Sequence, residues 1–410
     1  MSRFIVVSVF LLAALPAGQT LAGSLSLPEA TQRVLARNPQ ITVNTARLDA
    51  AEGRVIQAGA LPNPEVSYLL EDFAGDTSRS AGQASATYTL SQRFSPPGKR
   101  SARQAFARED GALTALEAQS ERLRLIRLTR EAYIDALAGQ ERQAAAAQNQ
   151  QLAQQLRDAV AARVAAGKVS PIELSRASVA LAAARRASQQ AVRLGELSRK
   201  QLAALWGESS LTESLADGLG LPARLEPAAL PADASPAIRQ ARKRIQREQA
   251  AVALAEAQRL PDFTLSGGMK REAVTRDQSV LIGISVPIPV FDRNRGAVQS
   301  ARAELRAAEA ALAVGSQQFQ REQDQLLTRR EGDYQDALQL RDEVLATASE
   351  ALEATREGYR AGKFSLIDLL DAQRSLMEAQ AAYLAARISF HQSDAALDEL
   401  LGRTETGNTP

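Results

Sequence analysis

Hydrophobic positions along this chain change period in a fixed order, and the order is repeated. Pro28 suits a first helical turn, and Val34, Leu35, Ile41, Val43 and Leu48 form an apolar stripe that predicts a helix from Leu27 to about Ala60. Leu61-Pro62-Asn63-Pro64 ends it. Period two follows: Val66, Tyr68 and Leu70 face away from Ser67 and Glu71. Beyond a polar turn from Gly75 to Gly82, Ala86, Tyr88, Leu90 and Phe94 alternate with Ser85, Thr87, Thr89, Ser91 and Arg93. Ser95-Pro96-Pro97-Gly98 closes this stretch, and no proline recurs before Pro171, which leaves room for a helix of about 65 residues. It ends at Ala166-Gly167-Lys168-Val169-Ser170, and a partner helix continues to about Trp206.

Gly218, Gly220, Pro222, Pro227, Pro231 and Pro236 then mark an irregular connector with at most short helices. From Ser235 the sequence of events begins again. A helix runs to Leu260-Pro261; Phe263, Leu265, Gly267 and Met269 alternate with polar residues, and Val280, Ile282, Ile284, Val286 and Ile288 do so after a charged turn. No proline lies between Pro289 and Pro410, and the one break in that span is Tyr359-Arg360-Ala361-Gly362-Lys363-Phe364-Ser365. Upstream of it Leu338, Leu345, Leu352 and Tyr359 recur at heptad spacing; downstream Ile367, Leu370, Arg374, Met377, Ala381, Leu384, Ile388 and His391 alternate by three and four, and both patterns predict a coiled-coil seam. A helix from Asn294 to Arg360 would be roughly 100 Å long at about 1.5 Å per residue.

Gly167-Lys168 and Gly362-Lys363 set the internal offset at about 195 residues, too long for a solenoid unit, so a whole half-molecule is duplicated. The expected division is a first repeat over 23–206, with strands at about 65–73 and 84–94 and a hairpin at about 99–206, then a connector over 207–234. A second repeat spans 235–402, with strands at about 262–270 and 279–289 and a hairpin at about 294–402, before a tail over 403–410.

Composition narrows the class. Of 410 residues 45% are hydrophobic but only 4% aromatic, a balance that suits long helices better than large compact cores. A net charge of +2 gives no basic excess for binding nucleic acid. The absence of cysteine excludes disulfides, thiolate metal sites and thiol nucleophiles. Arg3, the apolar run Phe4 to Leu15, and Thr20-Leu21-Ala22 read as a signal peptide over 1–22 with cleavage near Ala22. No later segment has the run of about 20 apolar residues that a membrane helix needs.

A mature chain in a membrane would therefore use its strands, whose alternation suits lipid on one side and water on the other. Four strands cannot close a barrel, and open edges in lipid leave backbone groups unsatisfied. Two copies would give eight strands and a lumen that side chains fill; three would give twelve, wide enough to conduct. The expected fold class is thus mainly α with a membrane β-barrel: a trimeric twelve-stranded barrel continuing into a helical tunnel.

Leu61-Pro62-Asn63-Pro64-Glu65, Ser91-Gln92-Arg93-Phe94 with Gly98-Lys99-Arg100, and Val286 through Gly296 resemble the TolC family of outer-membrane efflux proteins, in its heavy-metal cation branch. The resemblance covers essentially the whole mature chain. It implies a homotrimer in outer-membrane lipid, with a periplasmic tunnel that meets a periplasmic adaptor (a membrane fusion protein) and an inner-membrane proton-driven pump of the RND type. In the family, acidic side chains ring the tunnel's periplasmic tip. Ser365-Leu366-Ile367-Asp368-Leu369-Leu370-Asp371-Ala372 is similar to that segment, which makes Asp368 and Asp371 the constriction candidates. Ser365 and Asp368 also stand at capping-box spacing, as do Ser170 and Glu173. Tyr359 and Glu173 match family positions that latch helices together, although Phe364, beside Lys363, occupies the place of the usual latch arginine. The turns with Gly167, Lys168 and Ser170, and with Gly362, Lys363 and Ser365, are the expected adaptor-docking tips.

The only histidine, His391, falls on the seam and is expected to pack there; no metal-ligand cluster, cofactor motif or catalytic constellation stands out. The leading reading is a passive exit duct for metal cations. A duct for drugs or secreted proteins and, from another class, a soluble periplasmic coiled-coil adaptor are the competing readings; an enzyme has no residues to support it.

Overall fold

The computed structural model describes residues 24–72, 84–226, 232–273 and 275–403. The expected signal peptide, the turn from Gly75 to Gly82, Pro227, Pro231 and the tail beyond Arg403 lie outside the described residues.

Strand β1 (Ser24–Leu25) leads into α1 (Leu27–Arg37), where Ser26 and Glu29 form a reciprocal cap, and α2 (Pro39–Gly59) follows. The single helix expected from Leu27 to Ala60 is two helices. Pro39 bars the α conformation at the residue before it, so Asn38 sits at ψ 127° and its side chain accepts from Gln40 N at 2.8 Å as a new cap.

Next come β2 (Glu65–Glu71), β3 (Ser85–Phe94), the 67-residue α3 (Lys99–Ala165), α4 (Pro171–Ala204) and β4 (Ser214–Leu215). A short 3₁₀ turn precedes α5 (Pro236–Ala257), β5 (Phe263–Glu272) and β6 (Gln278–Ser285). Helix α6 (Arg295–Gln339) passes through six π-helical residues, Leu340–Leu345, into α7 (Ala346–Arg360), and α8 (Leu366–Leu401) returns. The alternation running on to Ile288 is not all strand: β6 stops at Ser285, where its ladder with β5 ends at Thr264, and Pro287 and Pro289 have no N–H to extend it.

The large sheet is antiparallel in the order β2-β3-β5-β6. Its register sets Val66 beside Leu90, Leu90 beside Gly267 and Gly267 beside Ile282; Tyr68, Tyr88, Met269 and Val280 form the next row. One face is therefore apolar across all four strands. The other carries Ser67, Thr87, Thr89, Ser91, Ser266 and Ser279. Phe94 stacks on Phe263 at 5.5 Å at the end of the sheet nearest the helices.

At the waist, Leu25, Val34, Tyr133, Leu137, Leu202, Trp206, Leu384 and Ile388 share one core. The connector straps onto it. Tyr133 Oη donates to Leu25 O at 2.8 Å and Asp217 at 2.9 Å, and burial pushes its pKa up. Tyr334 Oη donates to Pro222 O at 3.1 Å, Arg387 donates to Leu219 O at 3.1 Å, and His391 Nε2 lies 3.0 Å from Gly220 O. An ionic belt joins α3, α6 and α8: Arg130 meets Asp394 at 2.6 Å and Asp398 at 2.8 Å, and Arg330 meets Asp394 at 2.6 Å.

The seam expected along α8 holds only in its upper half. Leu384 and Ile388 are buried, but Ile367, Arg374, Met377 and Ala381 are exposed, and the inward side chains near the tip are Leu366 and Leu369. Of the expected seam in this part of α8 only Leu370 is half-buried, against the same tip core; the neighbouring helices cover the stripe of Leu366 and Leu369 instead.

Candidate pore constriction and hairpin tips

Both hairpin turns are built alike. At the first, Lys168 N donates to Arg163 O at 2.9 Å and Gly167 N to Val164 O at 2.9 Å; at the second, Lys363 N donates to Gly358 O at 2.8 Å and Gly362 N to Tyr359 O at 3.1 Å. This is the Schellman closure, which needs a left-handed residue, and Gly167 (φ +68°) and Gly362 (φ +76°) supply it. Ser170 then caps α4 by accepting from Ile172 N at 3.4 Å, with Pro171 in the first turn. Lys168 and Lys363 are exposed beside the turns.

Ser365 caps α8 more fully. Its Oγ accepts from Asp368 N at 3.3 Å, while Ser365 N and Oγ donate to Asp368 Oδ2 at 2.8 and 2.7 Å. The Ser365 hydroxyl, then its amide, holds the Asp368 carboxyl below its ordinary value. Asp371, one turn on, is exposed and pairs with Arg374 at 3.2 Å. It lines a shallow recess of about 440 Å³ between α4 and α8, whose walls include Ile172, Val179, Ile367 and Leu370. The two carboxylates thus differ in employment: one closes a helix end and the other faces open space.

Tyr359 is buried among Val160, Ala177, Leu366 and Leu369. Burial, and after it the neighbouring Glu173 carboxylate, raises its pKa. Neither Tyr359 Oη nor Glu173 Oε2, both shielded from solvent, has a partner in hydrogen-bond geometry. What holds Tyr359 is a residue that sequence reasoning missed. Arg163, in the last turn of α3, lies 4.9 Å from the centre of the Tyr359 ring and donates to Tyr359 O at 3.3 Å. A basic residue there reads in sequence only as a partner of the helix dipole. Phe364 packs its ring against Gly358, where an added Cβ would come within 2.0 Å of Cδ2.

Among the described residues no helix is long and apolar enough to cross a membrane, and no three histidine, aspartate or glutamate side chains gather to hold a metal ion.

The description of one family, outer membrane efflux protein, matches residues 30–208 and 232–403, taking in both repeats and leaving out the connector between them. The chain belongs to that family. Outer membrane efflux proteins similar to it include the cobalt-zinc-cadmium resistance protein CzcC of Cupriavidus metallidurans, 32% identical over 93% of this chain and 91% of that one. The nickel-cobalt-cadmium resistance protein NccC of Alcaligenes xylosoxydans xylosoxydans is 28% identical over 68% of this chain and 64% of its own length. Among solved structures, CusC has a TM-score of 0.79 at 16% identity, covering 97% of this chain and 99% of the other. The outer membrane protein VceC of Vibrio cholerae has a TM-score of 0.76 at 23% identity, with 92% and 96% covered. The fold is that of the family's outer-membrane channels, and the chain is an outer-membrane component of efflux.

Proposed function

We propose that three copies of this chain close a twelve-stranded barrel and a helical tunnel that together form a passive exit duct for heavy-metal cations. The observation that carries this is the sheet itself: one apolar face continuous over four strands, with β2 and β6 each lacking, among the described residues, a partner on one side. In lipid those edges demand strands, and only other chains can supply them. The cation assignment is supported by relatives whose names specify cobalt, zinc, cadmium and nickel resistance.

Energy comes from elsewhere, through a periplasmic adaptor and a proton-driven pump in the inner membrane. The adaptor docks at the tips formed by Gly167, Lys168, Ser170, Gly362, Lys363 and Ser365, where exposed Ile172, Phe364 and Ile367 suit an apolar helical partner. Asp371, backed by Asp368, lines the constriction; six such carboxylates favour cations, and Arg374 moderates their field. Glu173 and Tyr359, with Arg163 over the ring, form the latch that holds the tip narrow.

A deletion strain tests the substrate. It should become sensitive to cobalt, zinc and cadmium and keep its antibiotic tolerance; sensitivity confined to antibiotics would replace the cation reading with a drug duct.

A further inference from the structure

Just below the sheet, a ridge of ordered apolar side chains has no cover. Ile288 and Val290 are exposed, and Phe291 is 99% exposed, although two prolines stiffen this segment and Asn294 Nδ2 anchors its end to Ala255 O at 2.8 Å. It follows β6, one edge of the sheet. Before the opposite edge, β2, lies the exposed Leu61 and a recess of about 460 Å³ bounded by Arg54, Gln57, Leu61, Pro62 and Arg103. Arg103 Nε is buried there with no hydrogen-bond partner.

The chain already shows how these two kinds of segment fit. Its repeats put β3 beside β5, so the exit of the first repeat meets the lead-in of the second within one chain. There Phe94 stacks on Phe263, and Lys99 Nζ donates to Asp262 at 2.9 Å and Leu260 O at 3.2 Å. Leu260-Pro261-Asp262 is the counterpart of Leu61-Pro62-Asn63. Among the described residues the exit of the second repeat has no such lead-in.

We infer that Phe291 and Asp292 of one copy seat in the recess beside Leu61 of the next, an apolar and ionic clasp between copies at the base of the barrel. Asp292 brings a carboxylate to Arg103, whose Nε has no partner, and to Arg54, which among the described residues is held only by Asp110 at 3.6 Å. Burying the Phe291 ring against Leu61 and the arginine stems removes apolar surface from water and gives the arginines a ring face. The inference rests on the closure of the sheet between copies proposed above.

Paired cysteines test it in a chain that has none of its own. Leu61→Cys and Phe291→Cys, at opposite edges of the sheet, are combined in one chain and treated in outer membranes with a short bis-maleimide. The clasp predicts covalent dimers and trimers on a denaturing gel, with no ladder from either single variant. Ser67→Cys with Ser285→Cys probes the β2–β6 seam in parallel. A ladder at the seam but none from Leu61 and Phe291 overturns the clasp alone; no ladder from either pair overturns closure and the clasp with it. Phe291→Ala, which loses almost no contact within its own chain, should keep the helix content and lower the temperature at which the oligomer dissociates in detergent. An unchanged dissociation temperature would also overturn the clasp.

Discussion

In the first hairpin α3 runs unbroken for 67 residues and buries Ala153 and Val160 in its lower half. In the second, the matching descent is a 45-residue helix, six π-helical residues and a 15-residue helix, and no side chain from 338 to 357 is buried. The two share a topology and a tip, but not the packing between waist and tip. A π-helical stretch sacrifices regular hydrogen bonding and is concentrated at functional positions. Here it lies in the less buried of the two hairpins, above Tyr359. Duplication copied the backbone plan while leaving one arm held by its own core and the other held mainly at its two ends.

Substitutions in the two hairpins probe this contrast. The largest effect is expected from Leu366→Ala, since a side chain 2% exposed at the tip core loses about 2–5 kcal/mol on truncation. Ile367→Ala, next to it but 45% exposed, should change the stability of the folded chain by less than about 0.5 kcal/mol. Denaturant midpoints of the two variants decide it, and equal losses would contradict the assignment of the inward stripe. Gly167→Ala and Gly362→Ala should each cost about 1–2 kcal/mol, because both place a Cβ in the left-handed region. If the turns are equivalent, their hydrogen-exchange rates should rise together.

Arg163→Gln should release Tyr359 at a cost of about 1 kcal/mol and raise single-channel conductance, whereas the same change at the exposed Arg360 should do neither. The smallest effect belongs to the waist. Burial, then Arg130, holds the His391 pKa below its ordinary value, while Asp394 opposes and Arg387 adds to the shift. The neutral ring is thus favoured in the folded state. Stability is full above about pH 6.5 and falls as acid protonates the unfolded chain first. His391→Gln should flatten the melting temperature between pH 7.5 and about 5.5.

The strands were legible because period-two alternation bounded by proline and glycine matches the pleat of a strand and no helical period, and the two tips because a left-handed glycine followed by a serine cap is a local code. Other features were not. The Asn38-Pro39 break interrupted a stripe that continues in phase across it, so periodicity alone read one helix. Leu338 precedes the π-helical stretch and Leu345 is its last residue, and heptad spacing carries no mark of it. On α8, the residues Leu366 and Leu369 and the residues Ile367 and Leu370 are both helically spaced, and spacing does not say which stripe the chain covers itself. The same holds for Arg163, whose ring contact with Tyr359 depends on two helices meeting 196 residues apart in sequence.

Closure of the sheet by copies of itself underlies the duct. Light scattering on the mature protein extracted from outer membranes in mild detergent tests it directly. A closed barrel gives a particle of three protomer masses that shifts on a gel when heated; a monodisperse, water-soluble single chain with no such shift would rule closure out.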